Sequence, residues 1–119
     1  MELRTSNPLL QDLITTLDRQ GSKNKAALWK DLATKLNRPR SKREYVNLWE
    51  ISRNAKEGET IIVPGKVLGY GDVGARITIA AFKFSEMARR KILEGKGKAL
   101  SIQELMKENP KGVGVRIMA

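Results

Sequence analysis

The sequence predicts an α/β fold in which an N-terminal helical hairpin packs beside a layer of alternating strands and helices. Three observations carry that expectation. Apolar residues recur at helical spacing through the first third of the chain, β-branched runs punctuated by Pro and Gly begin at Thr60, and strand-like and helix-like segments then alternate to the C-terminus. The length, 119 residues, is near that of one domain and supports one modest core, with about two thirds of the unfolded chain's surface buried on folding. Residues 1–43 are read as a basic helical extension and residues 44–119 as the α/β core.

In the first helix, Asn7 is positioned as a cap and Pro8 suits the first turn. Leu9, Leu10, Leu13, Ile14 and Leu17 form one stripe, and Gly21 marks the end. A second helix begins after Ser22 or Asn24, gathers Ala26, Leu28, Trp29, Leu32, Ala33 and Leu36, and stops at Asn37 before Pro39. Asn47 then caps a short helix with Leu48, Trp49 and Ile51. Ile61-Ile62-Val63 and Val67-Leu68 read as two short strands joined by a bend at Pro64-Gly65. A glycine loop follows, and Ile77, Ile79 and Ala81 alternate as a third strand does. Ser85 caps a helix to about Glu94, where Lys91 interrupts the apolar face. Ala99-Leu100 gives a brief strand, Ser101 caps a helix over Ile102 to Glu108 that Pro110 stops, and Val113, Val115 and Ile117 suggest a final strand.

Charge is the strongest functional signal. The chain carries 23 Lys and Arg against 13 Asp and Glu, a net charge of +10. A polyanion relieves the self-repulsion of such a chain, because each cation set against a phosphate releases a condensed counterion. Nucleic acid is therefore the expected partner. There is no Cys and no His, which removes disulfides, thiolate nucleophiles, the common zinc-ligand sets and any side chain with an unperturbed pKa near neutrality. An enzyme is disfavoured, and no cofactor or small-molecule substrate is implied. No stretch approaches the roughly 20 apolar residues of a membrane span, and aromatic residues, at 5%, are too few for an amphipathic membrane-surface helix. A soluble cytoplasmic protein is expected.

Arg38-Pro39-Arg40-Ser41-Lys42-Arg43 concentrates four cations in six residues without an acid. Pro39 prevents a regular helix, so the segment is read as an exposed linker in which Arg38, Arg40 and Arg43 fork onto phosphates and Lys42 acts as a point charge. Arg89, Arg90 and Lys91 are consecutive, so on a helix they spread over more than half the circumference; an RNA face and ordinary solubility charge both fit. The same two readings fit Lys23, Lys25, Lys30 and Lys35. Trp29 and Trp49 each lie in a helical apolar pattern and are read as core. Tyr70, flanked by glycines, is open between a plain loop residue and a side chain that stacks on an unpaired base. Gly69-Tyr70-Gly71-Asp72-Val73-Gly74 has dinucleotide-binding spacing, yet the residues after it alternate like a strand where that motif needs a helix.

Several segments together resemble one family. They are Arg38 to Arg43, Val46-Asn47-Leu48, Ile62 to Gly69, Phe84-Ser85-Glu86 with Ala88-Arg89 and Lys91-Ile92, and Asn109 to Gly112 with Val115-Arg116-Ile117. In order and spacing the chain is similar to the archaeal and eukaryotic eighteen-e family of large-subunit ribosomal proteins, which is related to bacterial large-subunit protein fifteen. The resemblance implies an irregular superhelix of β-β-α turns with a helical N-terminal extension. It also implies a role in translation as a cytoplasmic, ribosome-bound structural protein contacting large-subunit ribosomal RNA and neighbouring ribosomal proteins. Carried onto this sequence, the RNA contacts are Arg38, Arg40, Lys42, Arg43, Lys66, the Gly69 to Gly74 loop with Tyr70, Arg89, Arg90, Lys91 and Lys111. One departure is Gly95-Lys96-Gly97, where members of the family tend to carry adjacent glycines. Two other readings stand beside this one: a DNA-binding helix-turn-helix over Pro8 to Leu36, and a nucleotide-dependent enzyme built on the glycine loop.

Overall fold

The first helix, α1 (Pro8–Lys23), starts as its residues dictate. Asn7 is extended and its side chain accepts the Leu9 N–H at 3.0 Å, while Pro8 lacks an N–H that the first turn has no use for. Gly21 lies buried inside the last turn rather than ending the helix, which runs two residues further. The second helix, α2 (Ala27–Leu36), begins later than either expected cap, after Lys25 at φ 53°. The computed structural model describes residues 3–37, 44–73 and 76–118. The basic linker Arg38 to Arg43 and Gly74 of the glycine loop lie outside the described residues.

Past the linker come β1 (Glu44–Asn47), α3 (Leu48–Asn54), β2 (Thr60–Leu68), β3 (Thr78–Phe84), α4 (Glu86–Glu94), β4 (Lys98–Ser101), α5 (Ile102–Glu108) and β5 (Val115–Ile117). The class is α/β, as expected. The paired strands are parallel, in the order β1-β2-β3-β4, with β5 also on β2. A parallel sheet of this kind needs both faces covered, and it has two core clusters to show for it. On one face α1, α2 and α5 bury Leu13, Leu17, Trp29, Leu32 and Leu105 against Ile62 and Ala80. On the other, Leu48 and Ile51 of α3 and Ala88 and Ile92 of α4 pack on Ile61, Val63, Val67 and Ile79. The alternation of Ile61, Ile62 and Val63 between the clusters is the two-residue period of a strand. Each fully buried Leu, Ile or Val among these is worth about 1.5–3 kcal/mol of transfer free energy. The helical extension thus shares its core with the sheet. Trp29 fixes it further by donating its indole N–H to the Pro110 carbonyl at 2.6 Å, across 81 residues of chain.

The two short strands expected around Pro64-Gly65 are a correction: they are halves of one strand, β2. Pro64 is tolerated because the ladders lapse there. Thr60 to Ile62 pair with β5 and Gly65 to Leu68 with β1 on the same edge, while on the other edge the register to β3 shifts between Val63 and Lys66. A residue without an N–H costs a sheet little where no ladder bond is asked of it. Two further corrections concern β1, for which Val46 alone gave no strand signal, and β3, which begins at Thr78 and runs through Phe84. Short β1 exists because β2 offers it an edge, a tertiary cause that local pattern does not carry.

Candidate nucleic-acid interface

Beyond Gly65, three parallel strands bring Tyr45, Lys66 and Lys83 into one row, through the pairs Tyr45↔Lys66 and Lys66↔Lys83. The next row, Val46, Val67 and Phe84, packs into the second core cluster. Successive side chains of a strand face opposite ways, so the Tyr45-Lys66-Lys83 row points away from that cluster. Tyr45 and Lys83 are exposed and Lys66 is half-buried. Neighbouring strands stand about 4.8 Å apart, so the two lysine stems rise side by side. Neither ammonium is paired with a carboxylate of a described residue. Like charges opposed in a sheet are destabilising, and an anion lying between them removes that cost. In sequence, Arg38 to Arg43 immediately precede β1.

Beside the row, α4 starts immediately after β3 and aims its three consecutive cations differently. Arg89 stacks over the Phe84 ring at 5.3 Å. Arg90 is exposed. Together with Glu86, Leu93 and Glu94 these residues line an open groove of about 510 Å³. Lys91 turns inward, and its ammonium donates to the carbonyls of Gly69 at 2.8 Å and Gly71 at 2.7 Å, with the Asp72 carboxylate 3.8 Å away. Its interruption of the apolar face therefore has a local cause: it holds the glycine loop to α4.

That loop is fixed from the other side as well. The Tyr70 carbonyl accepts the Trp49 N–H at 3.0 Å. Gly71 has φ 91°, and a Cβ there would stand 2.5 Å from the Trp49 Cβ; one on Gly69 would stand 2.7 Å from the Met87 Cβ. At Gly71 the dihedral and the space both call for glycine, and at Gly69 the space does. Tyr70 is left 68% exposed at the tip. The next regular element is β3, a strand, so the loop lacks the helix N-terminus that a pyrophosphate would require.

Other predicted positions are scattered. Lys111 is exposed in the turn that leads into β5, whose first residue pairs with Thr60 at the start of β2, so it sits at the opposite end of the sheet from Lys66. Arg38, Arg40, Lys42 and Arg43 lie outside the described residues. On α2 the exposed face is mixed, with Asp31 3.9 Å from Lys35, a poor surface for a recognition helix. Arg116 pairs with Glu59 at 2.9 Å and donates to the Asn54 carbonyl at 2.6 Å, a cation engaged within the protein.

The sequence reading missed Tyr45, Lys83, Trp49 and Arg53. Trp49, expected in the core, is 42% exposed with the Arg53 guanidinium 5.7 Å from its ring centre, and this is a correction. On the seven-residue α3, Leu48 and Ile51 already fill the inward stripe, which leaves Trp49 at the rim. Lys83 had a usable signal: a cation between Phe82 and Phe84 in a strand, its ammonium 5.6 Å from the Phe82 ring. Among the described residues no helix is long and apolar enough to cross a membrane.

Comparison with known proteins gives a consistent result. The sequence profile of the family described as ribosomal protein 60S L18 and 50S L18e matches residues 4–119. A relative named large ribosomal subunit protein eL18, from Methanococcus maripaludis, is 47% identical over 118 residues, covering 99% of this chain and 98% of its own. The protein of the same name from Archaeoglobus fulgidus is 47% identical over 116 residues, covering 98% of this chain and 99% of its own.

Proposed function

The chain belongs to the family of ribosomal protein 60S L18 and 50S L18e, and from that premise we propose that it binds folded large-subunit ribosomal RNA by setting cations against phosphates. Members of this family are structural ribosomal components, so no turnover is expected. The observation that carries the reading is the register that sets Lys66 beside Lys83 and Tyr45 at one end of the sheet, with neither lysine paired to a carboxylate of a described residue. Arg89 and Arg90 extend the same surface, Arg38, Arg40, Lys42 and Arg43 add charge from the segment that precedes β1 in sequence, and Lys111 makes a separate contact at the far end. Lys91 acts through the loop it holds, presenting Tyr70. The helices brace the sheet, so that Lys66, Lys83, Arg89 and Arg90 are placed before the RNA arrives and little ordering entropy is lost on their backbone. The working location is the cytoplasmic ribosome, among neighbouring large-subunit proteins.

The experiment is a binding titration of the intact protein against protein-free large-subunit ribosomal RNA across a salt series, with duplex DNA as competitor. With about eight basic groups engaged, affinity is expected to fall by about three to five orders of magnitude between roughly 50 and 200 mM salt. Folded ribosomal RNA should outcompete the DNA. A flat salt response, or equal affinity for one DNA duplex, contradicts the proposal.

A further inference from the structure

Phosphate contacts account for the cations at this end of the sheet but give the exposed aromatic rings beside them no role. Trp49 and Tyr70 are 42% and 68% exposed, although burial of large rings is a main source of stability in a chain with so few of them. They stand together. Asn47 pairs with Leu68 across the β1-β2 ladder, and Trp49 and Tyr70 lie two residues further along each chain, joined by the Trp49 N–H to Tyr70 carbonyl bond. Their backbones are fixed by Lys91 and by the close approach at Gly71. The Arg53 guanidinium stacks over Trp49, while two nearby acids are engaged within the protein: Asp72 faces the Lys91 ammonium and the Glu50 carboxylate accepts the Asn47 N–H.

We infer that Trp49 and Tyr70, with Arg53, form a rigid platform on which an unpaired nucleotide of the RNA stacks, its phosphate turned toward the Lys66-Lys83 row. The inference rests on the proposed RNA binding and adds a class of contact to it, base stacking on aromatic and guanidinium planes. A cationic surrounding favours a nucleotide over an apolar protein segment as occupant, because the platform's edge supplies charge for a phosphate. Every base has a stackable face, so the contact adds affinity with little sequence preference.

The test uses the full chain and protein-free large-subunit ribosomal RNA. Trp49→Ala and Tyr70→Ala are each compared with the parent across the salt series, with Trp49→Phe as the conservative control. Each alanine variant is expected to bind roughly five- to a hundredfold more weakly at every salt concentration, with the salt slope unchanged and Trp49→Phe close to the parent. Trp29 is fully buried, so quenching of tryptophan emission by acrylamide reports Trp49 alone, and RNA binding should shield it. Parent-like affinity of both alanine variants with Trp49 still open to acrylamide overturns the platform. So does shielding seen only in the assembled subunit and not on protein-free RNA, which would make the surface a protein contact. Loss of salt dependence in the parent would instead strike the phosphate reading on which the platform rests, and the two failures are therefore distinguishable.

Discussion

Before Pro64, β2 runs between β5 and β3 and buries Ile61, Ile62 and Val63 under helices on both faces. After Gly65 it runs between β1 and β3, and there Lys66 stands in the row of Tyr45 and Lys83. One strand thus serves two ends with opposite demands. The first half gains stability from apolar area removed from water. The second half sets two like charges across a strand pair, an arrangement that an anion lying between them would relieve. The contrast teaches that, on the proposed function, the apolar residues that fold the molecule and the cations that would bind RNA lie on one strand, divided where the ladders lapse at Pro64.

Substitutions can break or sharpen that separation. The largest effect is expected from Ile62→Ala, which empties a fully buried site between the helical hairpin and the sheet. It should cost about 2–5 kcal/mol, measured by denaturant unfolding, while the salt slope of RNA binding by the folded fraction stays as it was. Gly71→Ala forces a side chain into a positive-φ position against Trp49. A cost of about 1–3 kcal/mol is expected, together with weaker RNA binding, since the loop that presents Tyr70 has to move. Should binding be unaffected, the loop does not belong to the binding end.

Smaller effects are expected at the turns. Ser101 accepts the Glu104 N–H at 3.1 Å, and the Glu104 carboxylate accepts the Ser101 N–H at 3.1 Å. The backbone N–H of Ser101, then its side chain, hold the Glu104 pKa below the ordinary carboxylate value. A depressed carboxylate contributes stability that is present above its unfolded pKa and lost as pH falls through the folded one. Ser101→Ala should therefore raise the Glu104 pKa in an NMR titration, flatten that acid-side loss and destabilise by about 1 kcal/mol. Lys96 has φ 63° between Gly95 and Gly97, so Lys96→Gly should stabilise by up to about 1 kcal/mol by relieving the left-handed strain. A melting temperature unchanged or lowered by that variant would contradict it.

The helices were legible where caps and stripes agreed, as at Asn7-Pro8 and at Ser101 with Glu104, and so was the α/β alternation after Thr60. β1 was not, because four residues without a strong alternating pattern became a strand only through the edge that β2 offered. Pro64-Gly65 read as a bend because the proline rule is local, whereas its tolerance depends on partners distant in sequence. At the candidate interface Lys66 was expected from the family resemblance, but Lys83 and Tyr45 joined it through register, which no single segment encodes. Trp49 was misplaced because a seven-residue helix has too few turns to tell a stripe from its rim. The charges of Arg38 to Arg43, four cations in six residues without an acid, were plain in the sequence.

The most direct measurement compares the parent with Lys66→Ala, Lys83→Ala and the double variant on protein-free large-subunit ribosomal RNA, plotting log affinity against log salt. Each lysine removed should lower the slope by about 0.7–0.9, with the unfolding free energy unchanged within about 0.5 kcal/mol or slightly raised. A double variant that keeps the parental slope would show that these two ammonium groups do not meet phosphates, and would contradict the account.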